Sequence, residues 1–217
     1  MVFAKGGVFS CKFCGQPLLV HSNFSAIRIC QDCGQQHLKY EGDERQLLPV
    51  PEDMSLLRIG VKGEVQEGAF EIIGRYRLTA ADSYFNLWCM HIADGDILNF
   101  IIESPGCLFY AHQVKPEKNT VAVIAGLDID ESADLKDIGR YRLLYRPKPL
   151  TEDMEGELPE MPVSARSYSF YELTNKDDSI LILAKYKANI FGWIGTLMQP
   201  NEFKFQNLRK LPVEFEA

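Results

Sequence analysis

The 217-residue sequence predicts a mainly β protein: a small N-terminal four-cysteine ribbon followed by a β-rich barrel- or sandwich-like domain. Three observations lead there. Four cysteines recur in two matched pairs near the start. Beyond residue 55, short runs of Val, Ile, Phe and Tyr alternate with turn residues. No stretch of ten or more residues carries a convincing 3.6-residue apolar period.

The first element is the cysteine unit at 10–40, preceded by a short tail at 1–9. Cys11-Lys-Phe-Cys14-Gly15 and Cys30-Gln-Asp-Cys33-Gly34 are separated by fifteen residues. That spacing falls in the range of four-cysteine zinc sites. Zinc takes four ligands in a tetrahedron and accepts thiolate readily. Two intervening residues let the chain turn so that both sulfurs face one ion. The glycine after each pair tolerates the positive φ that such a turn demands. Cys11, Cys14, Cys30 and Cys33 are therefore the expected ligands of one structural zinc ion. Four thiolates leave no open position for water or substrate. Between the pairs a hairpin is expected, with strands at 17–21 and 26–29 about a turn at 22–25. Gln35 to Tyr40 would add a third strand. A unit of about thirty residues buries too little apolar surface to fold unaided, and a metal is the usual remedy. His21 and His37 lie close enough to substitute for a cysteine, but packing or surface roles are expected for both. Redox chemistry of the thioredoxin type calls for a single pair beside a βαβ unit, which this sequence lacks.

The charged stretch 41–54, with its Pro49-Val-Pro51, predicts an extended, solvated linker. Strands are expected near 59–66, 69–79, 84–92, 97–103, 106–113 and 120–127, with turns at 67–68, 81–83, 94–96 and 105–106. Residues 128–138 are ambiguous and have room for a short helix. A strand follows at 139–146. The proline- and acid-rich stretch 147–163 predicts a second linker, which would divide 55–217 into two subunits. Strands resume at 166–173, 179–187, 190–198 and 203–206. Ile73-Gly-Arg-Tyr-Arg-Leu78 recurs as Ile138-Gly-Arg-Tyr-Arg-Leu143. Upstream alignment at that offset is poor, so strand composition explains the recurrence better than a duplicated β unit.

Net charge is −7, unlike that of a general nucleic-acid binder. Residues 1–40 hold four basic residues and one acid (+3), leaving −10 for the rest. No signal peptide or membrane-length apolar run is visible, and six cysteines are too sparse for a disulfide scaffold. A reducing, cytoplasmic setting is expected.

Outside the ribbon, signals for chemistry are weak. Cys89 and Cys107 lie in predicted strands among apolar neighbours and read as small buried hydrophobes. A thiol enzyme pairing either with His91 or His112 is the alternative. The acids in Glu152-Asp153 and Glu155-Gly156-Glu157 read as solvated loop charges. Gly74-Arg-Tyr-Arg77 and Gly139-Arg-Tyr-Arg142 mix arginine with tyrosine, as on oligonucleotide-binding barrels. Tyrosine in and arginine out is the plainer reading. No Gly-x-Ser-x-Gly, His-Glu-x-x-His, P-loop or Gly-x-Gly-x-x-Gly motif occurs.

From Leu57 onward the chain resembles the bacterial domain of unknown function numbered 4178. The resemblance rests on Gly60-Val-Lys-Gly63, Phe70-Glu-Ile-Ile-Gly74, Asn86-Leu-Trp88 before a strand with Asp94-Gly95, Gly156-Glu-Leu-Pro159, the Tyr168/Tyr171 segment and Gly195. The run Phe85-Asn-Leu-Trp88 is less aromatic than is usual there. The resemblance implies a β-rich fold, frequently behind a four-cysteine ribbon, and no assigned activity. Together these readings predict a non-enzymatic adaptor that binds another protein, with a membrane-associated complex among the partners considered. Nucleic-acid binding through the ribbon and the Arg-Tyr strands is the alternative.

Overall fold

A computed structural model describes residues 3–40, 42, 44–51, 53–80, 84–92, 98–104, 106–136, 138–146, 148, 151–161, 168–186 and 189–210. The turns expected at 81–83 and 94–96, and the tail beyond 210, lie outside them. Strands β1 (Val8–Ser10) and β2 (Pro17–Leu19) pair with each other. The remaining strands join one large sheet. They are β3 (Ile27–Ile29), β4 (Gln36–Leu38), β5 (Lys62–Val65), β6 (Gly68–Thr79), β7 (Tyr84–Ile92), β8 (Asn99–Ser104), β9 (Cys107–Val114), β10 (Ser132–Leu135), β11 (Gly139–Tyr145), β12 (Thr151–Leu158), β13 (Tyr168–Thr174), β14 (Ser179–Tyr186) and β15 (Asn189–Met198). Their order is β10-β11-β13-β14-β15-β9-β8-β7-β6-β12-β3-β4, with β5 also on β6. Every pairing is antiparallel. No helix among the described residues is long and apolar enough to cross a membrane.

The sheet is internally duplicated about a pseudo-twofold axis. Its centre is the antiparallel pair β9–β15, where His112 faces Ile194. Outward from that pair, β8, β7, β6 and β5 on one side match β14, β13, β11 and β10 on the other. The details agree. Gly60 and Asp130 both take positive φ (86° and 72°). The amide of Gly60 donates to the Ile72 carbonyl and that of Asp130 to the Leu143 carbonyl, each at 2.8 Å. A bulge follows both acceptors, between Ile72 and Gly74 and between Leu143 and Tyr145. In this register Gly68 matches Gly139, since each faces the last residue of the preceding strand, Val65 or Leu135. The recurring Ile-Gly-Arg-Tyr-Arg-Leu segments are thus out of step with the duplication, so the motif was no guide to it.

One sheet face curls on itself around a single core that includes Leu87, Phe100, Phe170, Ile182 and Trp193. The other face needs two covers, and the halves exchange them. Helix α1 (Lys118–Ala125) follows β9 but buries Val121 and Ile124 against Leu143, Leu173 and Leu183 of the second half. The 3-10 helix Pro200–Phe203 follows β15 but buries Phe203 against Ile72, Trp88 and Ile101 of the first. Each half completes the core of the other.

Four local expectations are corrected. The strand predicted at 203–206 is replaced: Phe203 ends a 3-10 helix, Lys204 takes positive φ (44°) and Gln206 makes an isolated bridge to Lys62. Residues 120–127 were expected as a strand but fall largely in α1. Their β-branched residues favour extension, yet Thr120, Val121 and Ile124 fit one buried helical face, and packing overrides a weak propensity. The ambiguous stretch 128–138 contains β10 and no helix among its described residues. The second linker contains β12, which pairs with β6 and β3 and buries Met154 and Leu158. Its acids disguise it, because several of them face buried partners.

Candidate metal centre

The ribbon consists of two similar hairpins, each closed by a cysteine knuckle. β1 and β2 flank Cys11–Cys14, while β3 and β4 flank Cys30–Cys33. The expected pairing of 17–21 with 26–29 is replaced: each strand pairs across its own knuckle, and β1 occupies part of the expected tail. The knuckles match bond for bond. Cys11 N donates to the Gln16 carbonyl and Gly15 N to the Cys11 carbonyl. Cys30 N donates to the Gln35 carbonyl and Gly34 N to the Cys30 carbonyl. Gly15 and Gly34 sit at φ 81° and 73°, as the turn requires.

The four sulfurs converge, all within 4.8 Å of one another. Cys11 Sγ lies 3.6 Å from Cys33 Sγ, and Cys14 Sγ 3.6 Å from Cys30 Sγ. A tetrahedron with metal–sulfur bonds of about 2.3 Å has edges of about 3.8 Å. Donor type, number and spacing therefore fit one thiophilic divalent ion, and Cys11, Cys14, Cys30 and Cys33 could hold it. The sulfurs do not ionise alike. Burial opposes ionisation of Cys11, but the amides of Cys14 and Phe13 and the His37 ring bring its pKa down to about 6. At Cys33 the Gln35 amide favours the thiolate, yet burial and the other three sulfurs push the pKa up to about 12. Bringing four thiolates together calls for a cation.

His37 is fully buried and its Nε2 lies 3.3 Å from Cys11 Sγ. Phe9 meets its ring edge-on, with centroids 5.4 Å apart. With a metal at the four sulfurs it would be an outer partner of the Cys11 ligand, the kind of group that orients first ligands. His21 is remote from that role. Its Nδ1 lies 2.9 Å from Glu157 Oε2.

Glu157 shows how the ribbon is joined to the sheet. It is fully buried at the end of β12. Its carboxylate accepts from the amides of His21 and Ser22, each at 2.9 Å, and from the Ser25 hydroxyl. Burial opposes its ionisation, but these donors outweigh that and lower its pKa. Beside it, β3 pairs with β12, and Ala26, Ile27 and Ile29 enter the main core. Gly74 lets the strands approach this closely: a Cβ there would run into the Glu157 carbonyl. The expected solvated linker is also bound down. The Arg45 carbonyl accepts from Gln36 N at 2.9 Å, Leu47 N donates to the Gly34 carbonyl at 2.8 Å, and Gln46 Nε2 donates to the Cys33 carbonyl at 2.7 Å.

The Asp53 side chain, within that same stretch, is 4% exposed and ion-paired with Arg75, Arg77 and Arg209. Arg75 also bonds Asn86 and Glu155 and lies 4.6 Å from the Trp88 ring centroid. Glu103 joins the network by accepting from Ser55, Asn86 and Trp88. The Gly74–Arg77 arginines are thus occupied internally. Along Gly139–Arg142, Tyr141 is buried, while Arg140 and Arg142 point out to Asp134 and Asp130. Sequence reasoning missed Glu157, Asp53 and Glu103, because a lone acid carries no sign of a partner so distant along the chain.

Cys89 is fully buried, and burial together with Glu157 drives its thiol pKa far up. Cys107 is exposed at the start of β9, and His112 is exposed further along it. Among the described residues no hydrogen bond joins either thiol to a histidine. Compared with models of known families, with curated proteins and with solved structures, the chain finds no match.

Proposed function

We propose that the chain is a non-enzymatic interaction module in which a zinc ion at Cys11, Cys14, Cys30 and Cys33 shapes a ribbon presented to another protein. The convergence of four cysteine sulfurs carries this reading. Four thiolates complete the coordination of zinc, which leaves the ion a structural part. Zinc binding of this kind supplies about 10–16 kcal/mol in small peptides, ample to order the short hairpins. The first hairpin is the exposed one. Val8 and Leu19 face each other across β1 and β2, and Phe13 sits at the knuckle, with 63%, 41% and 66% of their surfaces open. Three apolar side chains held in water by a metal knuckle suit a protein partner.

The test is site-specific photo-crosslinking in cells that make the protein. A crosslinker at Phe13 should yield one discrete protein adduct that is absent with the crosslinker at Lys176, on an exposed turn. V8S/F13S/L19S with the crosslinker moved to Lys12 should lose the adduct while keeping stoichiometric zinc. A smear shared by both positions, or turnover of a substrate lost on mutating Cys89 or Cys107, would overturn the reading.

A further inference from the structure

We propose that the cleft between ribbon and sheet is a second binding site, one that takes a nucleoside phosphate. It lies apart from the Val8–Phe13–Leu19 surface and does not depend on it. The cleft measures about 680 Å³ and opens to solvent, a size usual for small-ligand sites. Its ribbon wall is the β2–β3 turn with Phe24 and the end of β4 with Lys39 and Tyr40. Its sheet wall is the end of β9 with Lys115, the first turn of α1 with Lys118, and the start of β15.

Charge singles this cleft out. In a chain of net charge −7 its lining holds three lysines and one acid, Glu160. Lys115 and Lys118 have no ion-pair partner among the described residues, a state they share with Lys176, Lys185 and Lys210 outside the cleft, whereas Lys12, Lys62, Lys136 and Lys204 each have one. Lys39 Nζ is held by the Asn23 carbonyl at 3.1 Å and stands 5.7 Å from the Tyr40 ring centroid. Three lysines therefore line one space against the single carboxylate of Glu160, an excess of positive charge that selects an anion. The aromatics select the rest of the ligand. Tyr40 and Phe24 are 64% and 45% exposed at the mouth, with Pro116 and Phe191 on the sheet side. Flat rings beside ammonium groups are the arrangement that binds a base and its phosphate together.

The phosphate could come from a free mononucleotide or from a single strand, and the experiment separates these. The zinc-loaded full chain is titrated with adenosine monophosphate and, separately, with a ten-nucleotide single strand, and binding is followed by amide shifts and fluorescence anisotropy. Shifts should cluster at Phe24, Tyr40, Lys115 and Lys118. Saturation by the mononucleotide with no gain from the strand marks a free nucleotide as the ligand. Much tighter strand binding, with a salt slope shallower by about 0.7 per deleted lysine, marks nucleic acid. Tyr40→Ala should weaken binding about tenfold or more, and K115A/K118A should weaken it further. Because these side chains are exposed, melting should not change. Glu160→Gln should tighten binding, which mere misfolding would not produce. No shift in the cleft with either probe at low salt, or equal binding by K115A/K118A, would overturn the proposal.

Discussion

Replacing Glu157 tests how the ribbon is secured. The carboxylate accepts from two backbone amides, one hydroxyl and, in the suitable tautomer, an imidazole N–H, all from residues 21–25. Hydrogen bonds to a charged group contribute about 1.5–3 kcal/mol each, and a stranded buried donor costs about 1–3 kcal/mol. Glu157→Gln keeps the oxygen that serves His21, Ser22 and Ser25, while its amide can still donate to His21 Nδ1. What it loses is charge assistance and one bond to the His21 amide, about 2–3 kcal/mol. Glu157→Leu strands the donors together and should cost about 4–6 kcal/mol, allowing for partial rehydration. The assay is denaturant unfolding with hydrogen exchange at His21, Ser22 and Ala26. Because the folded pKa of Glu157 lies below its ordinary value of 4.5, its contribution is present at neutral pH and fades as pH falls below about 4.5. The gap between the native protein and Glu157→Gln should narrow over that range. A gap under about 0.5 kcal/mol at pH 7, with exchange at 21–26 unchanged, would refute the reasoning.

Other perturbations have defined outcomes. Stripping the metal with a chelator should raise hydrogen exchange across 8–38 and also lower the melting temperature of the whole chain, because Ile27 and Ile29 belong to the main core; calorimetry with and without chelator checks this. Asp53→Ala leaves Arg75, at 6% exposure, without its main counter-charge and should cost about 3–5 kcal/mol by denaturant titration. Phe203→Ala removes the cover from the first half and should cost about 3–5 kcal/mol, since the ring is fully buried. A thiol reagent should label Cys107 in the native, metal-loaded protein and reach Cys89 only on unfolding, as mass spectrometry of the adducts would show.

The ribbon and the long strands were legible because their signals are local. A Cys-x2-Cys-Gly knuckle is a property of five residues, and the strands at 69–79 and 84–92 show in runs of β-branched and aromatic residues. What stayed hidden depends on distant partners. The helix at 118–125 is set by what Val121 and Ile124 pack against. β12 reads as a linker until Glu157 meets the 21–25 turn and Glu155 meets Arg75. Asp53 looks like one more solvated acid until three arginines surround it. The duplication lies in hydrogen-bond register and bulge position, which many sequences can satisfy; Gly60 and Asp130 fill the same role with different residues.

X-ray absorption at the zinc edge, with elemental analysis of the purified protein, addresses the four-sulfur centre most directly. The expected result is one zinc per chain surrounded by four sulfurs at about 2.3 Å. A protein free of stoichiometric metal, or a first shell containing nitrogen or oxygen, would contradict it.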